Sequence, residues 1–114
     1  MLTDAYIAGF FDGEGSILFY KHKDKRGFEY PEFRLFFTSC DKDVLDEIQK
    51  HFNCGKIRET GNHKNGHSHC FRLSFERKAD MLSILKQLYP YIRIKKDQCA
   101  NAINFLEKHP LGWG

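Results

Sequence analysis

The chain has no apolar run near the roughly 20 residues that a bilayer-spanning helix needs, so no membrane segment is expected. It has no low-complexity tract, no short-period repeat and no linker. No low-complexity or repeat architecture is therefore expected over these residues. Its four cysteines, Cys40, Cys54, Cys70 and Cys99, are scattered and form no CxxC pair. No signal peptide is visible, since Met1 runs directly into a polar Thr-Asp pair. Four free thiols in a reducing interior are expected, and with them an intracellular protein whose compartment stays open. No Ser-His-Asp or Cys-His nucleophile set is legible, nor a glycine loop that would cradle phosphate. Cys54, His63, His67, His69 and Cys70 are zinc-ligand types, but their spacing follows no zinc pattern. Charge of one sign is also scarce: 18 Lys and Arg stand against 15 Asp and Glu, a net +3. That balance permits a nucleic-acid partner without demanding one, and the placement of the charges decides.

Aromatic residues, by contrast, are plentiful, with 11 Phe, 5 Tyr and 1 Trp in 114 residues. A chain of this length suits a single domain over 1–114, and large rings make its small core energetically dense. Residues 3–13 are expected to form a helix capped by Thr3 or Asp4. Residues 15–22 alternate, with Ile17 and Phe19 on one face and Ser16, Leu18 and Tyr20 on the other. Residues 32–39 repeat the pattern, with Phe33, Leu35 and Phe37 opposed to Glu32, Arg34, Phe36 and Thr38. The basic stretch between them contains Gly27 and reads as a loop. Asp41 caps a helix to about Phe52, with Val44, Leu45, Ile48 and Phe52 on one stripe. Strands follow at about 56–60 and 69–76, with Asn65-Gly66 as the turn signal between them. Helices at about 78–88 and 96–108 complete the chain.

The order is α-β-β-α-β-β-α-α, an α+β domain with a four-stranded antiparallel sheet and helices on one face. Its other face is left open. That face carries Ser16, Tyr20, Arg34, Thr38, Lys56, Arg58, Thr60, Arg72 and Ser74, many of them donors or cations. Simple solvation would account for it equally well.

The first helix has an unusual stripe. Ala5, Ala8, Gly9 and Asp12 fall at i, i+3, i+4 and i+7, where small residues let two helix backbones approach closely. Glycine inside a helix costs about 1 kcal/mol relative to alanine, so a packing reason is expected. Packing against another helix of the same chain would also supply one. Glu14 follows directly, between Gly13 and Gly15. Paired helices would bring two such carboxylates together, and hard oxygen ligands gathered in one place favour Mg²⁺.

Ile7-Ala8-Gly9-Phe10-Phe11-Asp12-Gly13-Glu14-Gly15 resembles the signature motif of the LAGLIDADG homing endonucleases. Ala8, Gly9, Asp12 and Gly15 match it by letter, and Glu14 keeps the final acid. The resemblance implies a saddle-like sheet that enters the DNA major groove. Family members carry either one motif and form homodimers, or two motifs in one longer chain. The single motif here therefore implies a homodimer about Ala5, Ala8, Gly9 and Asp12, cutting both strands of a partly palindromic target. It further implies Glu14 as the ligand of Mg²⁺ or another divalent cation such as Mn²⁺. Asp12 falls on the family's structural acid. Asp41 falls where a polar residue orders water, although an Asp before a helix is equally an N-cap. The segment Pro90–Lys95 resembles the one that brings up a catalytic lysine, which picks out Lys95, with Lys96 as the alternative. The open face becomes the base-reading surface. His22, Lys23 and Lys64, at the two basic loops, extend the contact along the backbone. The implied partners are double-stranded DNA and a second copy, with neither membrane nor small-molecule substrate. The alternative is a cleavage-inactive nucleic-acid-binding relative, such as an intron maturase or a transcription regulator.

Overall fold

Thr3 starts the first helix: its Oγ1 accepts the backbone N–H of Tyr6 at 3.1 Å. In this computed structural model, which describes residues 2–60 and 70–108, α1 runs Asp4–Glu14. Asp4 is not the cap. Its carboxylate instead accepts from Gln87 Nε2 at 2.8 Å and meets His51 Nε2 at 2.8 Å, joining three helices at one end of the layer. Two long strands follow, β1 (Gly15–Lys23) and β2 (Glu29–Ser39). The loop between them is closed by Asp24, whose Oδ1 accepts the N–H groups of Arg26 and Phe28. Gly27 there has φ +87°, a conformation glycine adopts without penalty.

Asp41 does cap α2 (Lys42–Phe52): its Oδ1 accepts from the N–H groups of Asp43 and Val44. Strands β3 (Lys56–Glu59) and β4 (Phe71–Phe75) precede α3 (Lys78–Leu88), a 3₁₀ turn at Tyr89–Tyr91 and α4 (Lys96–Lys108). The Asn65-Gly66 turn and Lys64 lie outside the described residues. No helix among those described is long and apolar enough to cross a membrane.

The sheet is antiparallel throughout, in the order β1-β2-β4-β3. Alternation sends Leu35, Phe37, Leu73 and Phe75 to one face, where they join Ile7, Phe11, Leu45, Ile48, Leu85 and Leu106 in a single core. Phe37 sits at its centre, within ring-contact distance of Phe10, Phe11 and Phe75. Such edge-on and offset ring pairs add to plain burial. The expected α+β order and the one-sided helix layer are as read from the sequence.

The thiol expectation needs correction. Cys40 and Cys70 form a disulfide, and only Cys54 and Cys99 are free. The register explains it. Ser39 pairs with Phe71, so the next residue out on each strand is a cysteine, and both point to the open face. A separation of 30 residues along the chain hides this adjacency. Thiol titration of the unfolded, non-reduced protein should find two groups, and four after reduction. Four without reductant would break the pairing. In the folded protein Cys99 should react slowest, because it is fully buried and burial pushes its thiol up to about 11.

Candidate functional site

The signature motif occupies α1 and the first residue of β1. The helical period turns Ile7 and Phe11 into the core, each with no exposed surface. Ala8 is also fully buried, which corrects its expected place on an outward stripe. The residues that do face out are Ala5, Tyr6, Gly9 and Gly13. A Cβ added at Gly9 or at Gly13 would meet nothing within 4 Å. Packing inside the chain therefore accounts for Ala8 but gives no reason for either of these glycines. Gly15 is different: a Cβ there would overlap the Phe11 ring, so close packing at the helix-to-strand junction requires glycine.

Asp12 also departs from the outward stripe. Its carboxylate turns toward the 93–95 segment of its own chain and accepts the backbone N–H groups of Arg93 at 2.8 Å and Lys95 at 3.0 Å. Burial alone would raise its pKa. The N–H groups of Arg93, Lys95 and Ile94, with the Lys95 charge, outweigh that and hold it below the ordinary value. A depressed carboxylate stabilises the fold above its unfolded pKa of about 4, and the contribution is lost as pH falls through the lower folded value. Asp12→Asn should lower stability by about 1–3 kcal/mol at neutral pH, since an amide nitrogen then faces N–H donors. It should also flatten the acid limb of a stability-against-pH curve measured by denaturant melts. An unchanged acid limb would show that the clasp does not form.

Lys95 closes the clasp from the other side. Its ammonium donates to the carbonyl oxygens of Asp12 at 2.6 Å and Phe11 at 3.2 Å. A cation at the carboxyl end of a helix is favoured by the helix dipole. It stands on the last turn of α1, the turn that ends in Glu14. Lys96 is held elsewhere: its ammonium donates to the Tyr89 carbonyl at 2.6 Å and lies over the Tyr89 ring at 4.0 Å. Of the two candidate lysines, only Lys95 is at the motif. Glu14 itself is exposed as the final residue of α1, and Gly15 begins the sheet. No group of three or more His, Cys, Asp or Glu is gathered for a metal among the described residues. Within the motif Glu14 is the exposed carboxylate, since that of Asp12 is taken up by backbone N–H groups.

The open face of the sheet begins where the motif ends. The register lays its side chains out in rows. One row is Ser16, Phe36, Ser74 and Lys56, and the next is Thr38, Arg72 and Arg58. Leu18 and Arg34 make a third, across β1 and β2. A cavity of about 560 Å³ opens there; Leu18, Arg34, Phe36, Arg58, Arg72 and Ser74 line it together with Glu32, Glu76, Lys78 and the core-side Phe33, Phe75 and Met81. The basic candidates differ in their surroundings. Lys56 faces Glu76 at 3.9 Å and Arg34 faces Glu32 at 3.7 Å. Arg58 and Arg72 carry no ion pair among the described residues, although they sit directly opposite each other. The Thr60 hydroxyl is committed to the Cys70 carbonyl at 3.1 Å. Lys23 ends β1 at the basic loop and is exposed. Tyr20 and His22 have their backbone in β1, and their side chains lie outside the described residues. Phe36 also lies on this face, although it is not among the basic and polar candidates. It is an aromatic at an outward position on a mostly polar face, which the alternation of β2 makes legible.

The architecture is that of homing endonucleases whose structures are known. I-CvuI, solved on DNA with magnesium, superposes with a TM-score of 0.78 at 21% identity, covering 95% of this chain and 68% of that one. The archaeal intron-encoded I-Vdi141I, solved with DNA, gives 0.80 at 19%, covering 96% and 69%. I-LtrWI, bound to its target DNA, gives 0.77 at 18%, but this chain spans only 37% of its length against 96% of its own. At such identities the likeness is one of fold. No curated protein is similar enough in sequence to count as a relative. Residues 7–98 match the sequence model of the LAGLIDADG endonuclease, and the chain belongs to that family.

Proposed function

We propose that two copies of this chain form a sequence-specific homing endonuclease that makes a metal-dependent double-strand cut in DNA. The reading is carried by one observation: Glu14 is exposed at the end of a helix whose outer glycines, Gly9 and Gly13, have open space in place of an intrachain neighbour. Two exposed glycines inside a helix cost about 1 kcal/mol each unless something approaches them closely. A second copy of the same helix is the neighbour that fits, and it would bring the two Glu14 carboxylates together. The lengths of the structural relatives support the same reading, since this chain covers about two-thirds of some and little more than a third of others. One domain, 1–114, would be half of the working enzyme, acting inside the cell where its DNA is.

In that dimer the paired Glu14 side chains would hold a divalent cation, Mg²⁺ or Mn²⁺. When bound, such an ion polarises a phosphoryl oxygen and lowers the pKa of water. The chain's own residues do the rest. Two of the three Lys95 N–H donors hold the last turn of α1, and the third is left for a phosphate oxygen. Asp41 uses Oδ1 as the α2 cap, and its second oxygen would hold the attacking water. Across the open face, Arg34, Arg58, Arg72 and Lys56, with Ser16, Tyr20, Thr38, Thr60 and Ser74, would meet base edges. His22, Lys23 and Lys64 would track phosphates.

The test is a cleavage selection from a randomised duplex pool, with Mg²⁺ in one arm and a chelator in the other. Cut ends that share a partly palindromic sequence, found only with the metal, are expected. Salt-sensitive retention of DNA without cutting in either arm would replace this reading with the binding-module one.

A further inference from the structure

Phe36 is out of place on the open face. Alternation puts its ring among Ser16, Ser74, Thr38 and Arg72, on the side of the sheet away from the core. Phe36 is nonetheless only 8% exposed. Arg72 lies over it, with its guanidinium carbon 4.1 Å from the ring centroid. Arg58 faces Arg72 directly from β3, on the same side of the sheet. Two like charges opposed across strands disfavour each other, so Arg72 is pressed from one side and attracted by an aromatic face on the other. The strand order sharpens the contrast between the two. β4 is an inner strand and β3 an edge strand. Arg72 is therefore flanked by a strand on each side, and Arg58 by a strand on one side only.

We propose that Phe36 is a positioning residue that holds the Arg72 guanidinium ready to read one guanine in each half of the DNA target. The inference rests on the DNA-cutting reading of the same face and adds to it the base and the residue that orders its reader. A free arginine loses about 2 kcal/mol of rotamer freedom when fixed. One already seated on a ring has less to lose, and its N–H edge keeps the fork that matches guanine O6 and N7. The ring touches no base. It acts through the arginine.

The test uses the whole protein, with chelator present to prevent cutting, and selects bound molecules from a randomised duplex pool. Wild type, Phe36→Leu, Phe36→Tyr and Arg72→Lys are compared by sequencing the bound DNA, with thermal melts to verify folding. Wild type should enrich guanine at one position per half-site, and Arg72→Lys should lose that position alone. Phe36→Leu should reduce the guanine preference there by about tenfold while leaving other positions and the salt dependence of binding unchanged. Phe36→Tyr, which keeps the aromatic face, should restore it. Preference kept in Phe36→Leu, or lost equally at every position, overturns the proposal, the second outcome marking a merely structural ring. Should Phe36→Leu fail to fold, Arg72→Lys and Phe36→Tyr decide: a guanine position insensitive to Arg72→Lys, or missing from Phe36→Tyr, overturns it. Enrichment elsewhere with no arginine-dependent position defeats this inference but spares the DNA reading. No enrichment at any position in wild type overturns both.

Discussion

Glu14→Gln protein should hold its DNA target as well as wild type, or slightly better, and should lose cleavage by several orders of magnitude. Glutamine keeps the size of the side chain and most of its hydrogen bonding but removes the charge that a hard cation needs. Each chain supplies only one such carboxylate, and the described residues hold no cluster of acids to replace it. Binding should survive because Glu14 ends α1 and lies off the sheet, and in the proposed dimer two like charges near the phosphates would be gone. Lys95→Met should bind as well and lose less activity, since its ammonium holds the helix end and does not ligate the cation. The measurement is DNA retention with chelator beside single-turnover cleavage with Mg²⁺. A Glu14→Gln enzyme that cuts at the wild-type rate would end the catalytic assignment.

The second large effect concerns Gly9. Gly9→Leu should leave the folded monomer as stable as wild type, or more stable by up to about 1 kcal/mol, because leucine is the better helix former. A Cβ added at Gly9 meets nothing within 4 Å in the chain, so the new side chain starts into open space. The same leucine would stand between two closely approaching helices, so dimer content at micromolar concentration should collapse. Sedimentation and thermal melts together separate the two effects. Opposite directions for folding and association are the signature of an interface glycine. A variant that sediments like wild type, or a wild type that is a monomer with and without DNA, would remove α1 from the dimer. The same result would leave Glu14 without a partner.

Much of the fold was legible because local periodicity carries it. Alternation placed Leu35, Phe37, Leu73 and Phe75 on the inner face, and the helical period placed Ile7 and Phe11 inward. The strands came out close to their true bounds, although β2 begins at Glu29 rather than near residue 32. Ala8 was misplaced for a physical reason. Neighbouring positions on a helix are 100° apart, and a methyl group gives too weak an apolar signal to say which side of the stripe it takes. Asp41 could be read two ways from sequence, as cap or as water holder, and the structure establishes the cap.

What the sequence determined by itself is everything local. The order of the elements, the two faces of each strand and the nine-residue motif that places the chain in its family all rest on neighbours a few positions apart. What only the tertiary structure decided are contacts between residues remote in the chain. Lys95 rather than Lys96 reaches α1, although the two are adjacent in sequence and alike in charge. Cys40 meets Cys70, and Asp4 gathers His51 and Gln87. Arg72 settles on Phe36 from another strand. Each depends on how helices and strands lie against one another, set by the packing of the whole core, and no period within one segment encodes it.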